Sequence, residues 1–158
     1  VALNNSGMVE VVEGTLRLDG GGTLDGTIDI QAAGVLMLQA GAFVVPASAS
    51  LGGDGGLAFG GGSARFENQL SLRGLVSISG GTWDFAADQV FDGLSMSGGN
   101  LRGAGRVTFT NSFSWTGGTM LDAGTTALAP GASGSIPGSP GTDLAAARRP
   151  EKRWRRWE

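Results

Sequence analysis

The chain has 158 residues, of which 30 are Gly and 41% are hydrophobic, and it contains no Cys, His or Tyr. That composition removes Ser-His-Asp and Cys-His nucleophilic sites, zinc fingers, haem and iron–sulfur ligation, and disulfide frameworks. Asp, Glu, Ser, Thr, Arg and one Lys are left for any chemistry. The net charge of −3 divides unevenly: residues 1–144 hold five Arg against twelve Asp and Glu, a charge of −7, and residues 145–158 hold six Arg and Lys against two Glu, a charge of +4. An acidic, Lys-free body is a poor partner for nucleic acid, because phosphate affinity comes from many cations releasing counterions. No apolar run nears the roughly 18 residues that a membrane-spanning helix needs. The chain opens at Val1 without a basic start and apolar stretch, so no signal peptide is visible and a fragment or processed form of a longer protein is expected.

Taken in chain order, pairs of alternating apolar residues recur ahead of glycines. Val9 and Val11, then Leu16 and Leu18, lead to Gly22; Ile28 and Ile30, then Leu36 and Leu38, lead to Gly41. Ala49 and Leu51 precede Leu57 and Phe59 before Gly62, and Leu70 and Leu72 precede Val76 and Ile78 before Gly81. A blurred stretch at Val90 and Phe91 precedes Leu94 and Met96 before Gly99, and Val107 and Phe109 precede Phe113 and Trp115 before Gly118. The marking glycines are spaced 19, 21, 19, 18 and 19 apart. In five of the six copies the second apolar pair stands five and three positions before its mark; the earliest copy slips by one.

Period-two alternation is the pattern of a half-buried strand. A sandwich has no reason to repeat residue types at one offset six times, whereas a parallel solenoid does, since equivalent residues of successive coils stack. The reading is therefore all-β: a right-handed parallel β-helix, or β-solenoid, of about six coils of 18–21 residues, rising about 29 Å at a strand spacing of ~4.8 Å. The handedness comes from the resemblance described below. Leu36, Leu57, Val76, Leu94 and Phe113 would form one inner column beside Leu38, Phe59, Ile78, Met96 and Trp115. The glycines would turn corners needing positive φ, followed by a polar column of Thr23, Ser63, Thr82, Asn100 and Thr119. Pro46 falls where the spacing stretches, at an insertion or bulged corner. Helices are excluded by the Gly content and the missing 3.6-residue period before residue 143, and collagen by the spacing of its Gly.

The segments Asn4–Leu18 and Gly103–Met120 resemble the repeats of secreted bacterial β-helix surface proteins: autotransporter passengers and filamentous haemagglutinin-like adhesins. The resemblance covers about residues 4–137. It implies a right-handed β-helix, export to the cell surface or beyond, and no catalytic signature or cofactor. The expected function is thus a non-catalytic stalk or adhesive rod, with a host-cell or matrix glycan or protein as partner. Open coil ends would allow end-to-end self-association. Residues 1–137 are read as the solenoid domain and 138–158 as a Gly/Ser/Pro linker and basic tail, disordered or foreign to the repeat.

Outward positions offer few chemical candidates. Ser77 and Ser79, Ser95 and Ser97, and Ser114 and Thr116 would form a hydroxyl ladder, the weak candidate for a ligand-binding surface. It resembles the face of β-helical ice-binding proteins and is equally what a solvated sheet tolerates; a polysaccharide- or ice-binding module is the alternative function. Earlier coils carry Arg17, Asp19, Met37, Gln39, Ala58 and Gly60 there instead. Gly52–Leu57 holds one Asp, Asp54, too few oxygens for calcium, so no metal site is expected. Asp84, Asp88 and Asp92 are the carboxylates a polysaccharide-degrading enzyme would use, but they belong to one coil, faced by Arg102 and Arg106 on the next. Trp83, Phe85, Phe113 and Trp115 read as core filling.

Overall fold

The computed structural model describes residues 1–137 and the backbone of residues 142–144. In chain order the strands are β1 (Met8–Leu18), β2 (Gly22–Thr23), β3 (Thr27–Leu38), β4 (Ala42–Val45), β5 (Ser50–Gly53), β6 (Gly56–Phe59), β7 (Ser63–Phe66) and β8 (Ser71–Leu72). They continue with β9 (Leu75–Ile78), β10 (Thr82–Phe85), β11 (Gln89–Arg102), β12 (Arg106–Met120), β13 (Thr125–Leu128), β14 (Ser133–Ser135) and β15 (Thr142–Leu144). Every strand pairing among the described residues is parallel, each strand pairing with one a coil earlier or later. The result is a β-solenoid of about seven turns, with no helix among the described residues. No helix there is long and apolar enough to cross a membrane. The seventh turn, β13 to β15, lies beyond the six glycine marks because no Gly pair follows Gly117 and Gly118 in the sequence. Parallel pairing reaches Leu144, past the boundary expected at residue 137, so 142–144 belong to the last coil. The basic segment 145–158 lies outside the described residues.

Each coil has three faces. The first stacks the start of β1 on the start of β3, then β5, β8 and the starts of β11 and β12; the second stacks the apolar pairs nearest the glycines. On this second face both expected columns point inward, from Leu36 and Leu38, each 0% exposed, to Phe113 and Trp115 at 4% and 2%. Alternation on a flat, hydrogen-bonded strand forces that result once one side is dry.

The third face is the part that the sequence reading reduced to a polar column. It is a full strand layer, β4 on β7 on β10 on the end of β11, and it buries Phe43, Val45, Ala64, Phe66, Trp83, Phe85 and Leu101. Large and small side chains compensate along it. Ala64 stacks between Phe43 and Trp83, and the Trp83 ring lies against Phe59 of the coil below at 4.2 Å between centroids and 21° between planes. Phe66 and Phe85 stack likewise at 4.9 Å and 22°.

The corners explain the slip in the first copy. Gly41, Gly62, Gly81, Gly99 and Gly118 all have positive φ, as expected. A Cβ on Gly41 would lie 2.3 Å from the backbone N of Gly21, so Gly21, at φ +73°, is the stacked equivalent. Leu16 and Leu18 are then five and three positions before their mark like the rest. Thr23 is two places off the polar column, because the coil-to-coil step lengthens from 20 residues at Leu18 to 21 at β2: it stacks on Val44 and so in line with Arg65, while Ser63, Thr82, Asn100 and Thr119 stack in register.

Two inner assignments on the first face need correction. In the third coil Leu51 and Gly53, rather than Ala49 and Leu51, stack on Ile28 and Ile30. Pro46 ends β4 and opens a turn closed by the Ala49 N–H donating to the Pro46 carbonyl, so the step from Thr27 reaches Ser50 only after 23 residues. In the fifth coil Gln89 and Phe91 point inward and Val90 outward.

Candidate functional site

Three outer features carry polar side chains, and each is assembled by the coil-to-coil register. The first is the hydroxyl ladder. Ser77, Ser95 and Ser114 stack directly, and the column runs on to Ser135. The second ladder position is irregular, because the register shifts after Met96 and pairs Ser97 with Gly117. Thr116 Oγ1 donates to the Met96 carbonyl at 3.4 Å, and Ser79 Oγ donates to the Phe59 carbonyl at 3.3 Å. Ser77, Ser95 and Ser114 are therefore brought together, whereas Ser79 lies just past the end of β9, Ser97 and Thr116 lie at the register shift inside β11 and β12, and Ser79 and Thr116 bond to the adjacent coil.

The second feature is a column of alternating charge on the third face. Arg65 Nη1 donates to Asp84 at 2.5 Å and its Nε to Glu67 at 3.3 Å; Arg102, in register with Asp84, pairs with Asp122 at 3.1 Å. The hydrogen bond to Asp84 raises the Arg65 pKa, and that to Asp122 raises Arg102. The hydrogen bond from Arg102 holds the Asp122 carboxyl below its ordinary value.

The third feature is an open groove of about 810 Å³ on the outside of the first face. Gly53, Ser71 and Val90 are among the residues that line it. Asp29, Gln31, Arg73 and Asp92 stand around it. Gln31 Nε2 donates to Asp29 at 2.7 Å and to Glu10 at 3.2 Å, and Arg73 pairs with Asp54 at 3.6 Å. Asp54 thus sits at a Gly-rich corner as an ion-pair partner.

The three carboxylates singled out by sequence do not converge on this groove. Asp84 is in the ion-pair column, Asp88 accepts the Arg106 backbone N–H at 2.7 Å, and Asp92 alone lines the groove, accepting from Thr110 Oγ1 at 3.3 Å. Trp83, Phe85, Phe113 and Trp115 are all in the core.

One polar residue escaped the sequence reading altogether. Gln89 is 0% exposed; its Oε1 accepts the Leu70 N–H at 2.9 Å and its Nε2 donates to the Asn68 carbonyl at 2.8 Å. It supplies backbone partners where the neighbouring strand β8 is only two residues long. Its place two residues before Phe91 in an otherwise apolar pattern was the available signal. No protein-family model, curated protein or solved structure matches this chain.

Proposed function

We propose that the chain is a non-catalytic structural segment, a stalk or adhesive rod, of a secreted or surface-exposed bacterial repeat protein. The observation that carries this reading is the parallel coil-on-coil stacking through about seven turns, with one continuous apolar interior. In such a molecule the repeated coil interface is the working part, and stiffness follows because bending must open strand hydrogen bonds all along one side. The outer polar groups support the same reading, since several of them bridge coil to coil: Arg65 to Asp84, Arg102 to Asp122, Gln31 to Glu10. Export to the surface rests on the resemblance of the repeats. The test is a glycan array together with polysaccharide-turnover assays on the isolated chain: the proposal expects no turnover, which would overturn it, and a plain stalk expects no glycan binding, whereas binding excludes the plain stalk.

A second reading, a polysaccharide-binding module, is favoured by the groove on the first face. Its volume is in the range of small-ligand sites, and its carboxylates, amide and hydroxyl match the donors and acceptors of sugars. Glycan binding that is lost in Asp92→Ala and retained in Ser95→Ala would select it over the hydroxyl ladder.

A further inference from the structure

We infer that two copies of the chain pair side by side, running in opposite directions, through the outer surface of the second face. Beyond the first coil, which carries Arg17 and Asp19, the outward positions of this face hold no charged side chain among the described residues, and Leu75 stands 52% exposed on it. The first and third faces hold the carboxylates and the column of ion pairs instead. A flat sheet of small, uncharged side chains lets a second sheet approach to the ~10 Å spacing of packed sheets with no charge to desolvate.

Side-chain height selects a second copy as the partner and fixes its orientation. The outer column nearest the first face runs Val35, Gly56, Leu75 and Gly93 through coils two to five, tall and short in turn. Such a column fits its own reverse. A two-fold axis lying along the strands between coils three and four sets coil four of one copy on coil three of the other, and coil five on coil two. Each Leu75 then enters the space over Gly56 of the other copy, where an added Cβ would meet nothing nearer than 3.5 Å; the space over Gly93 is already taken by Ser112 and Leu75 of the same chain. In the adjacent column Met37 falls opposite Ser95 and Ala58 opposite Ser77, so no two large side chains collide.

Charge selects the same axis. The corner bordering the face carries Gln31, Asp54, Arg73 and Asp92 in coils two to five. Asp54 of each copy falls opposite Arg73 of the other, and Asp92 opposite Gln31. Arg73 and Asp54 also pair within one chain at 3.6 Å, but their side chains stay 85% and 63% exposed, which leaves surface for the second contact. Sliding one copy by a coil sets either Arg73 on Arg73 with Leu75 on Leu75, or Asp54 on Asp54, and like charges then repel. The contact is isologous and closes at two copies. Six engaged coils across the width of a strand, ~29 Å by ~16 Å, bury about 900 Å² over both copies, the size of a weak and reversible interface.

Sedimentation velocity of the full chain from micromolar to millimolar concentration tests this. The unmodified chain should pass from single chains to dimers and no further, and Leu75→Lys should stay single. Asp54→Arg and Arg73→Asp should each stay single alone, because each faces like charge across the axis; an equimolar mixture of the two should pair, because opposite charges then meet at both places. Unmodified chains that remain single at millimolar concentration, assemblies larger than two, or dimers of Leu75→Lys overturn the proposal. Dimers of Asp54→Arg alone or of Arg73→Asp alone overturn it too, as does a mixture that stays single. All three positions are more than half exposed, circular dichroism checks that each form retains its sheet, and Ser77→Lys replaces Leu75→Lys if that one does not. The readout is mass alone, so its outcome is separate from that of the glycan and turnover assays.

Discussion

At the scale of single residues, the positions that matter most are those where a side chain does a neighbouring coil's work. Gln89 is the clearest, because its amide satisfies the Leu70 N–H and the Asn68 carbonyl inside a dry corner. Replacing it by Leu keeps the volume and abandons two backbone groups, each costing about 1–3 kcal/mol when buried without a partner. Gln89→Leu should therefore lower stability by roughly 2–4 kcal/mol in a denaturant titration, despite being more hydrophobic. Gly81 is sensitive for a different reason. Its φ is +81°, and a Cβ there would meet the Trp83 ring at 2.6 Å and the Gly62 carbonyl at 2.7 Å. Gly81→Ala combines a left-handed backbone penalty with displacement of a fully buried indole, so a loss of about 2–4 kcal/mol is expected. Gly14 also has positive φ but open space around it, and Gly14→Ala should cost only about 1 kcal/mol, the conformational part alone. Comparing the two unfolding midpoints separates the contributions.

At the scale of elements, a face is held by its inner column and adjusted by its outer one. The Arg102–Asp122 pair shows how the outer column responds to pH. The Asp122 carboxyl lies below its ordinary value in the folded chain, first because Arg102 donates a hydrogen bond to it. A carboxyl shifted in that direction stabilises the fold at pH above its unfolded value, and the contribution disappears as pH falls through the folded one. Asp122→Asn should thus melt slightly below the unmodified chain at neutral pH, and the difference should vanish in acid below the usual carboxylate range. Both partners are exposed, so the difference should also shrink in high salt. The inner column of the third face responds to volume instead. Ala64→Leu would force a larger side chain between Phe43 and Trp83, and an overpacking loss of about 1–3 kcal/mol should appear together with a changed near-ultraviolet signal from the tryptophan.

At the scale of the whole molecule, the coil is the unit of addition and removal. Between the third and fourth coils all three faces step by nineteen residues: Gly52 to Ser71, Leu57 to Val76 and Ser63 to Thr82. Deleting residues 57–75 therefore brings Val76 to the place of Leu57 with every face still in register. The shortened chain should keep a parallel-sheet spectrum, lose about 4.8 Å of length by small-angle scattering, and melt at a lower temperature. Deleting eighteen or twenty residues from the same point should lower the melting temperature further, because the odd residue must be absorbed at a corner that is packed for a nineteen-residue step or the inner side chains turn outward.

The period, the parallel stacking and the inner columns of the second face are legible in residue order, because alternation and glycine spacing are local properties. Residue order also assigned Trp83, Phe85, Phe113 and Trp115 to the interior. The rest came from how the coils pack on one another. Steps between coils range from 18 to 24 residues, and where the extra residues are absorbed depends on how each corner packs, as at Pro46 and at Gly21. The third strand layer was hidden because Ser, Thr and Asn begin its strands and its inner positions range from Ala64 to Trp83, and Gln89 was hidden because a buried amide is tolerated only where another coil's backbone receives it. The outer groove and the uncharged second face are likewise products of stacking: no residue in them is unusual until the register brings them side by side.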